Sequence, residues 1–321
     1  MVKSPLISIV IPCKEIDEHA RECIKYCKQL SYDNFEIIIL PDHEGAKAEG
    51  ARIIPTGPGT PGVKRNIGIA NSKGEICAFI DADAYPRQDW LNNALKYLED
   101  PQVVAVGGPG VTPKEDSIMR QASGHVLSSF MVGGNSSRYR EEALNYSFES
   151  SDIHSCNFIA RKTVLKEVGN WNEKYWPGED TLICLAMKKL GNKLIEASDV
   201  VVYHHRRPLF IQHLKQMSRF ALHRGFFAKK FRGNSLELTY FFPSLFVLLL
   251  LAGLIMSITN QFLATALSLA IGVYICMSLF ASYLQVRDGA LIIVISLGII
   301  ATHVVYGVAF WVGLMRPGLE K

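Results

Sequence analysis

Ile76-Cys77-Ala78-Phe79-Ile80-Asp81-Ala82-Asp83 is the stretch on which the fold turns. Five apolar residues in a row read as a short strand buried on both faces. Two carboxylates one residue apart at its C-terminal end are costly unless something compensates them. A divalent cation is the usual compensation. Hard oxygen ligands beside a parallel strand end suit Mg²⁺ or Mn²⁺ carrying substrate phosphates. Strand alternation turns one carboxylate to the metal and the other to a different part of the ligand. A solvated strand-end turn explains the tripeptide equally well, since Asp is common there. The flanking sequence has to decide.

Outward from this run, residues 1–235 alternate strand-like and helix-like segments, the pattern of a mostly parallel α/β sheet. Strands are predicted at 7–11, 35–40, 52–54, 76–80, 103–106, 157–160 and 200–203. Helices are predicted at 17–30, 63–72, 89–98, 163–168 and 180–190, with Asp89 and Thr163 as N-caps and Gly191-Asn192 as a stop. Ligands of such sheets bind beyond the carboxyl ends of the strands. Pro12-Cys13-Lys14, Pro41-Asp42-His43 and Asp81-Ala82-Asp83 all fall there.

The 321 residues carry a net charge of only +4, which does not indicate a general nucleic-acid binder. The positive charge is concentrated, however. Lys215, Arg219, Arg224, Lys229, Lys230 and Arg232 follow one another without an acidic residue. Apolar residues recur at helical intervals through the same segment, 210–231: Ile211, Leu214, Met217, Ala221, Leu222 and Phe226. That is the pattern of a helix lying on anionic headgroups. Three apolar stretches follow at about 238–258, 261–284 and 289–315, each long enough to cross a bilayer. The expected organisation is a catalytic domain over 1–209, a basic amphipathic linker helix over 210–235, and a membrane domain over 236–321. The basic segment before the first span puts the α/β domain in the cytoplasm. His303, inside the third span, reads as a helix–helix hydrogen-bonding residue. Seven cysteines without a CxxC pair fit a reducing compartment. The start, Met1-Val2-Lys3-Ser4-Pro5, shows no signal-peptide pattern, and the sequons at Asn135 and Asn145 carry no expectation of glycosylation.

Several further residues line up with the Asp-x-Asp. Asp42 ends the second strand, where a carboxylate can accept hydrogen bonds from a base or ribose. The loop Gly57-Pro58-Gly59-Thr60-Pro61-Gly62 leads into Lys64-Arg65, a basic pair suited to neutralising a diphosphate. Trp176-Pro177-Gly178-Glu179-Asp180 opens a helix, either as ordinary acidic capping or as the seat of a general base. His204-His205 follows the last strand. Adjacent strand residues point oppositely, so at most one of the two is expected to ligate a metal.

This ordered set resembles the family 2 glycosyltransferases of the GT-A fold, across about residues 5–232. Pro12, Asp42, Lys64-Arg65-Asn66-Ile67-Gly68, Gly74-Glu75 and Asp81-Ala82-Asp83 resemble its nucleotide half. Asn157-Phe158-Ile159-Ala160-Arg161-Lys162, Val168-Gly169 and Gly178-Glu179-Asp180 resemble its acceptor half, and Gln216-x-x-Arg219-Phe220 looks like the Gln-x-x-Arg-Trp motif of processive members. The resemblance implies an inverting transferase that uses a nucleotide-diphosphate sugar, Mg²⁺ or Mn²⁺, and a lipid or lipid-linked acceptor among membrane lipids. In it Asp83 would bind the metal, Asp81 the metal or nucleoside, and Asp42 the base. Pro12, Lys14, Lys64 and Arg65 would line the donor, and His204 or His205 would help hold metal or diphosphate. Asp180 would be the catalytic base supported by Glu179, with Arg219 and Arg224 near a phosphate. Two departures stand out: Pro41-Asp42 where many members have Asp-Asp, and Phe220 in place of Trp, which argues against processive synthesis. A soluble or polysaccharide acceptor, with the spans as anchor, is the nearer alternative. An Asp-x-Asp phosphohydrolase would want Thr or Val soon after the second Asp, whereas Ala84-Tyr85-Pro86 follows. A non-catalytic membrane scaffold is disfavoured by the intact Asp81, Asp83 and Asp180.

Overall fold

A computed structural model describes residues 4–45, 47–132, 136–141 and 146–319. Met1, Val2, Lys3 and the sequon residues Asn135 and Asn145 lie outside the described residues. The chain forms two compact units, one from Met1–Val111 and Arg140–His205, the other from Thr112–Tyr139 and Arg206–Leu319. The segment 112–139, expected in the catalytic domain, therefore belongs to the second unit.

In the first unit β1 (Ile7–Pro12), β2 (Phe35–Leu40), β3 (Arg52–Ile53) and β4 (Ile76–Ile80) pair in parallel. Their side chains alternate between two cores. Ile7, Ile9, Ile11, Ile37, Ile39, Ile76, Ala78 and Ile80 enter one, while Val10, Ile38, Leu40, Cys77 and Phe79 enter the other. That period of two, with both faces covered, is why these runs are apolar throughout. The first core is roofed by α1 (Glu18–Cys27) through Ala20, Cys23, Ile24 and Cys27. The second is lined by Ile69 of α2 (Pro61–Asn71), where Pro61 stands in the first turn and needs no N–H partner.

Past β4 the chain makes β5 (Ala84–Pro86), α3 (Trp90–Tyr97), β6 (Val103–Gly107) and β7 (Gly110–Val111). After α4 (Ile118–Ser128), which belongs to the second unit, come β8 (Ser147–Glu149), β9 (Asn157–Arg161), α5 (Lys162–Glu167), α6 (Glu179–Lys189), β10 (Lys193–Ala197) and β11 (Val202–His204). Among the described residues the large sheet runs β3-β2-β1-β4-β9-β6-β10-β8, and β5-β11-β7 form a small one. The sheet is mostly parallel, but β9 is antiparallel to both β4 and β6, and β8 to β10, which periodicity alone does not reveal. The consequence is local: Asn157 pairs with Ile80, so the chain entering β9 passes beside Asp81. Thr163 is not an N-cap; α5 begins one residue earlier, with Arg161 at the cap. Gly191 adopts φ +80°, and the Gly191 and Asn192 N–H groups close the end of α6, as Gly-Asn predicts.

The second unit contains α4, α7 (Ile211–Lys230), α8 (Phe242–Ser257), α9 (Gln261–Tyr283) and α10 (Gly289–Met315). Three segments, Leu238–Ser257, Gln261–Tyr283 and Gly289–Met315, are long and apolar enough to cross a membrane. Leu249, Ile255, Phe262 and Leu269 are each more than 60% exposed, an apolar surface that needs a nonaqueous neighbour. His303 Nδ1 lies 2.7 Å from the Tyr274 hydroxyl, which links α10 to α9, and its Nε2 donates to the Met131 carbonyl at 2.7 Å.

Helix α7 is not wholly the surface helix its pattern suggests. His213, Met217, Ala221 and Phe226 are buried, and α7 packs along α10. A Cβ on Gly225 would meet the Phe310 carbonyl at 2.1 Å, and one on Gly313 the Leu222 carbonyl at 2.1 Å, so the two backbones touch. Ile211, by contrast, is 85% exposed.

His213 fixes the orientation of α7. The Thr302 hydroxyl donates to the Gly298 carbonyl (2.7 Å), so it accepts from His213 Nε2 (3.0 Å), and Nδ1 accepts from the Ser123 hydroxyl (2.8 Å). Burial, with a smaller contribution from Arg206, pushes the imidazole pKa down from 6.5 to about 4. The unfolded chain thus binds the proton first. Stability is full above pH 6.5 and is expected to fall by about 3 kcal/mol as pH drops from 6.5 toward 4. Denaturation in detergent across that range reads the loss, and His213→Gln should flatten it.

Candidate functional site

The parallel strands β1, β2 and β4 end at Pro12, Leu40 and Ile80 on one edge of the sheet, and the predicted strand-end residues gather beyond it. Cys13 is buried there, and burial above all pushes its thiol up to about 11, which leaves it protonated and chemically quiet. Lys14 is exposed, and its carbonyl accepts the Asp42 N–H at 2.8 Å.

The basic pair takes an unexpected part. Lys64 and Arg65 are only 2% and 1% exposed, so neither is an open cation waiting for a diphosphate. The geometry of α2 explains this: both side chains point back under the strand ends. Lys64 Nζ lies 2.7 Å from Asp42 Oδ1, a charge contact rather than an aligned hydrogen bond, and it donates to the Leu40 carbonyl (3.1 Å) and to the Thr56 hydroxyl. Lys64 therefore fixes Asp42, which is itself only half-buried.

Arg65 joins two carboxylates that are distant in sequence. Its guanidinium donates to Asp81 Oδ1 (2.8 Å), Glu179 Oε1 (2.8 Å) and the Ser155 hydroxyl (3.0 Å), and it lies 4.8 Å from the Trp171 ring. Burial opposes its charge, but Asp81 and Glu179 outweigh that and hold its pKa above the ordinary value. Glu179, 4% exposed, is thereby committed to Arg65. Asp180 is the half-buried neighbour, and its Oδ1 accepts the Thr181 N–H at 2.8 Å. Gly178, at φ +112°, makes the turn that sets both acids at the head of α6, a conformation side chains resist.

The small sheet delivers the histidine. Antiparallel pairing sets His204 opposite Ala84, one residue after Asp83, and His204 Nε2 lies 3.2 Å from Asp83 Oδ1. Asp81, Asp83 and His204 each offer a ligand atom within 4.8 Å of the others. Two carboxylates and one imidazole at that spacing fit a divalent ion such as Mn²⁺ or Mg²⁺. Arg65 uses one Asp81 oxygen, which leaves the other for such an ion. His205 does not join this group. Its Nε2 lies 2.9 Å from Glu22 Oε2 on α1.

Arg219 and Arg224 belong to the second unit. Arg219 is exposed, whereas Arg224 stacks on Tyr240 at 4.3 Å and reaches the Ser235 hydroxyl. Sequence reading missed Ser155, Trp171, His19 and Glu22. For the first two no local signal exists, since the antiparallel β9 and a distant loop bring them in. His19-x-x-Glu22 on one helical face was available from spacing alone.

Comparison with known proteins bears on this arrangement. Residues 8–169 match the family model described as "Glycosyl transferase family 2". The chain is 29% identical over 152 residues to a "Pre-mycofactocin glycosyltransferase" of Mycobacterium tuberculosis, covering 46% of this chain and 31% of that protein, so it spans less than a third of that relative's length. It is 23% identical over 266 residues to the "Dolichyl N-acetyl-alpha-D-glucosaminyl phosphate 3-beta-D-2,3-diacetamido-2,3-dideoxy-beta-D-glucuronosyltransferase" of Methanococcus voltae, covering 77% of this chain and 80% of the relative. Among solved structures, the mannosyltransferase PcManGT from Pyrobaculum calidifontis in complex with GDP-Man and Mn²⁺ superposes with a TM-score of 0.64 at 17% identity, over 93% of this chain and 88% of that one. At that identity the likeness is one of fold.

Proposed function

The chain belongs to glycosyltransferase family 2, and from that premise we propose that it is an inverting, divalent-metal-dependent transferase. It moves a sugar from a nucleoside-diphosphate sugar to a lipid-linked acceptor at the cytoplasmic face of a membrane. The observation that carries this reading is the convergence of Asp81, Asp83 and His204 with the Arg65 ion pairs that run on to Glu179, beside Asp180.

Each residue then has a task. Asp42, held by Lys64, accepts hydrogen bonds from the base or ribose. Asp83, His204 and Asp81 would hold a divalent ion. When bound, a divalent cation there offsets the charge growing on the diphosphate as it leaves. Asp180 takes the proton of an acceptor hydroxyl, whose oxygen attacks the anomeric carbon on the side opposite the diphosphate. One displacement breaks the sugar–phosphate bond and inverts the centre. Glu179 acts at one remove, by keeping Arg65 against Asp81.

The lipid-linked acceptor is supported by the name of the Methanococcus voltae relative, which describes transfer to a dolichyl-phosphate-linked sugar, and by the three apolar helices. The cytoplasmic face rests on the run of basic residues along α7, just before the first span.

A thermal-shift panel of nucleotide sugars tests the reading on the whole chain in detergent. The matching donor, at about 100 times its Kd, is expected to stabilise by about 2.7 kcal/mol. That gain should require Mn²⁺ or Mg²⁺ and vanish in Asp83→Asn. Donor binding that ignores both the metal and Asp83→Asn would remove the donor-site assignment.

A further inference from the structure

A second cluster of metal-binding side chains stands outside the donor residues. His19 and Glu22 share one face of α1, and His205 directly follows β11. Glu22 Oε2 lies 2.9 Å from His205 Nε2 and 3.9 Å from His19 Nδ1. The two imidazoles face each other at 4.5 Å between centroids, tilted by 36°. One ligand atom from each of the three residues falls within 4.8 Å of the other two. We propose that His19, Glu22 and His205 form a second divalent-metal site, of the kind that takes Zn²⁺ in preference to Mg²⁺, and that it clasps α1 to the end of β11.

The donor set sets the preference. Two imidazoles and one carboxylate suit zinc, which accepts three protein ligands and a water. Mg²⁺ demands near-octahedral oxygen and gives up its waters reluctantly. Distances agree as well. Ligand bonds of about 2.0–2.2 Å in a tetrahedral site put neighbouring ligand atoms roughly 3.3 Å apart. The observed 2.9 and 3.9 Å lie on either side of that value, so small side-chain rotations close the site. Access is provided too, since His19 and Glu22 side chains are each 35% exposed while His205 is 11% exposed. The Tyr85 ring lies 5.8 Å from the His205 ring, on the other strand of the β5–β11 pair.

The backbone gives the clasp a consequence. His205 N–H donates to the Asp83 carbonyl at 2.9 Å, and His204 reaches the Asp83 carboxylate from the preceding position. Tethering His205 to α1 therefore steadies the strand end from which His204 meets Asp83. The two metal groups share no side chain, and the second does not rest on the transferase reading.

Zinc itself is the probe, with the whole chain in detergent after chelator treatment. Asp83→Asn serves as the background, since it disables the donor group. In millimolar Mg²⁺, Asp83→Asn is expected to bind one equivalent of Zn²⁺ and to melt higher with it. Adding His19→Ala or Glu22→Gln should weaken that binding at least about 100-fold, because even loss of an outer-sphere partner costs 10–100-fold. Co²⁺ substitution gives an independent optical readout of the same ligands. The proposal is overturned if Asp83→Asn binds no zinc, or if the double variants still bind it undiminished. Glu22→Gln preserves the size of the side chain, so the test stands even if His19→Ala perturbs α1.

Discussion

Replacing Asp180 with Asn is expected to lower the turnover of sugar transfer by about 10²–10⁴-fold, the range a positioned general base supplies. The substitution keeps the side-chain oxygen that accepts the Thr181 N–H, and the residue is only half-buried. Loss of one negative charge at the head of α6 costs at most about 1 kcal/mol, so the protein should melt almost as before. Donor affinity should also hold, because Asp81, Asp83, His204 and Arg65 are untouched. The signature is therefore a fall in kcat with little change in the donor KM, measured with membranes or lipid extracts as acceptor. Full transfer by purified Asp180→Asn would sink the base assignment. It would point instead to an acceptor that is already ionised, such as a lipid phosphate, for which Asp180 is a positioning group.

Arg65→Met is expected to destabilise the first unit by about 3–5 kcal/mol, as removal of one partner from a buried ion pair does. The guanidinium is almost fully buried and satisfies two carboxylates, Asp81 and Glu179. Without it Glu179, nearly inaccessible to water, keeps a charge with nothing opposite it. Adding Glu179→Gln removes that stranded charge and should restore much of the loss. Denaturant midpoints of the unsubstituted protein, the two single variants and the double variant form the cycle that measures the coupling. Equal stability of Arg65→Met with and without Glu179→Gln would show that the ion pair is not what the Arg holds together. Donor binding is expected to weaken in Arg65→Met even though the guanidinium does not reach the surface, because Asp81 loses the contact that orients it.

Much of the first unit was legible in the sequence, for a local reason. The runs at β1, β2 and β4 are buried on both faces, so continuous apolarity betrays them. Asp81 and Asp83 were legible because two acids after such a run need an explanation. The three long apolar helices were legible from length and composition. Other features depend on pairings across long stretches of chain. The antiparallel β9 has the same apolar look as a parallel strand, yet its direction is what brings Ser155 beside Asp81 and Arg65. Likewise no pattern in Lys64-Arg65 distinguishes an exposed diphosphate clamp from a buried pair that fixes Asp42 and Asp81.

The order of residues along the chain specified the family, a mostly parallel sheet, the three apolar helices and the residue types at the strand ends. Side-chain period and hydrophobic length are properties of neighbouring residues, and they survive without a fold. Packing in three dimensions set how those residues divide their labour. It set His204 against Asp83 through β5–β11 pairing and His205 against Glu22 on α1. It also turned Arg65 from a surface cation into the link between Asp81 and Glu179. Partners 16, 114 and 183 positions apart meet only when the chain is packed, and burial then fixes which charges face each other and which face a ligand.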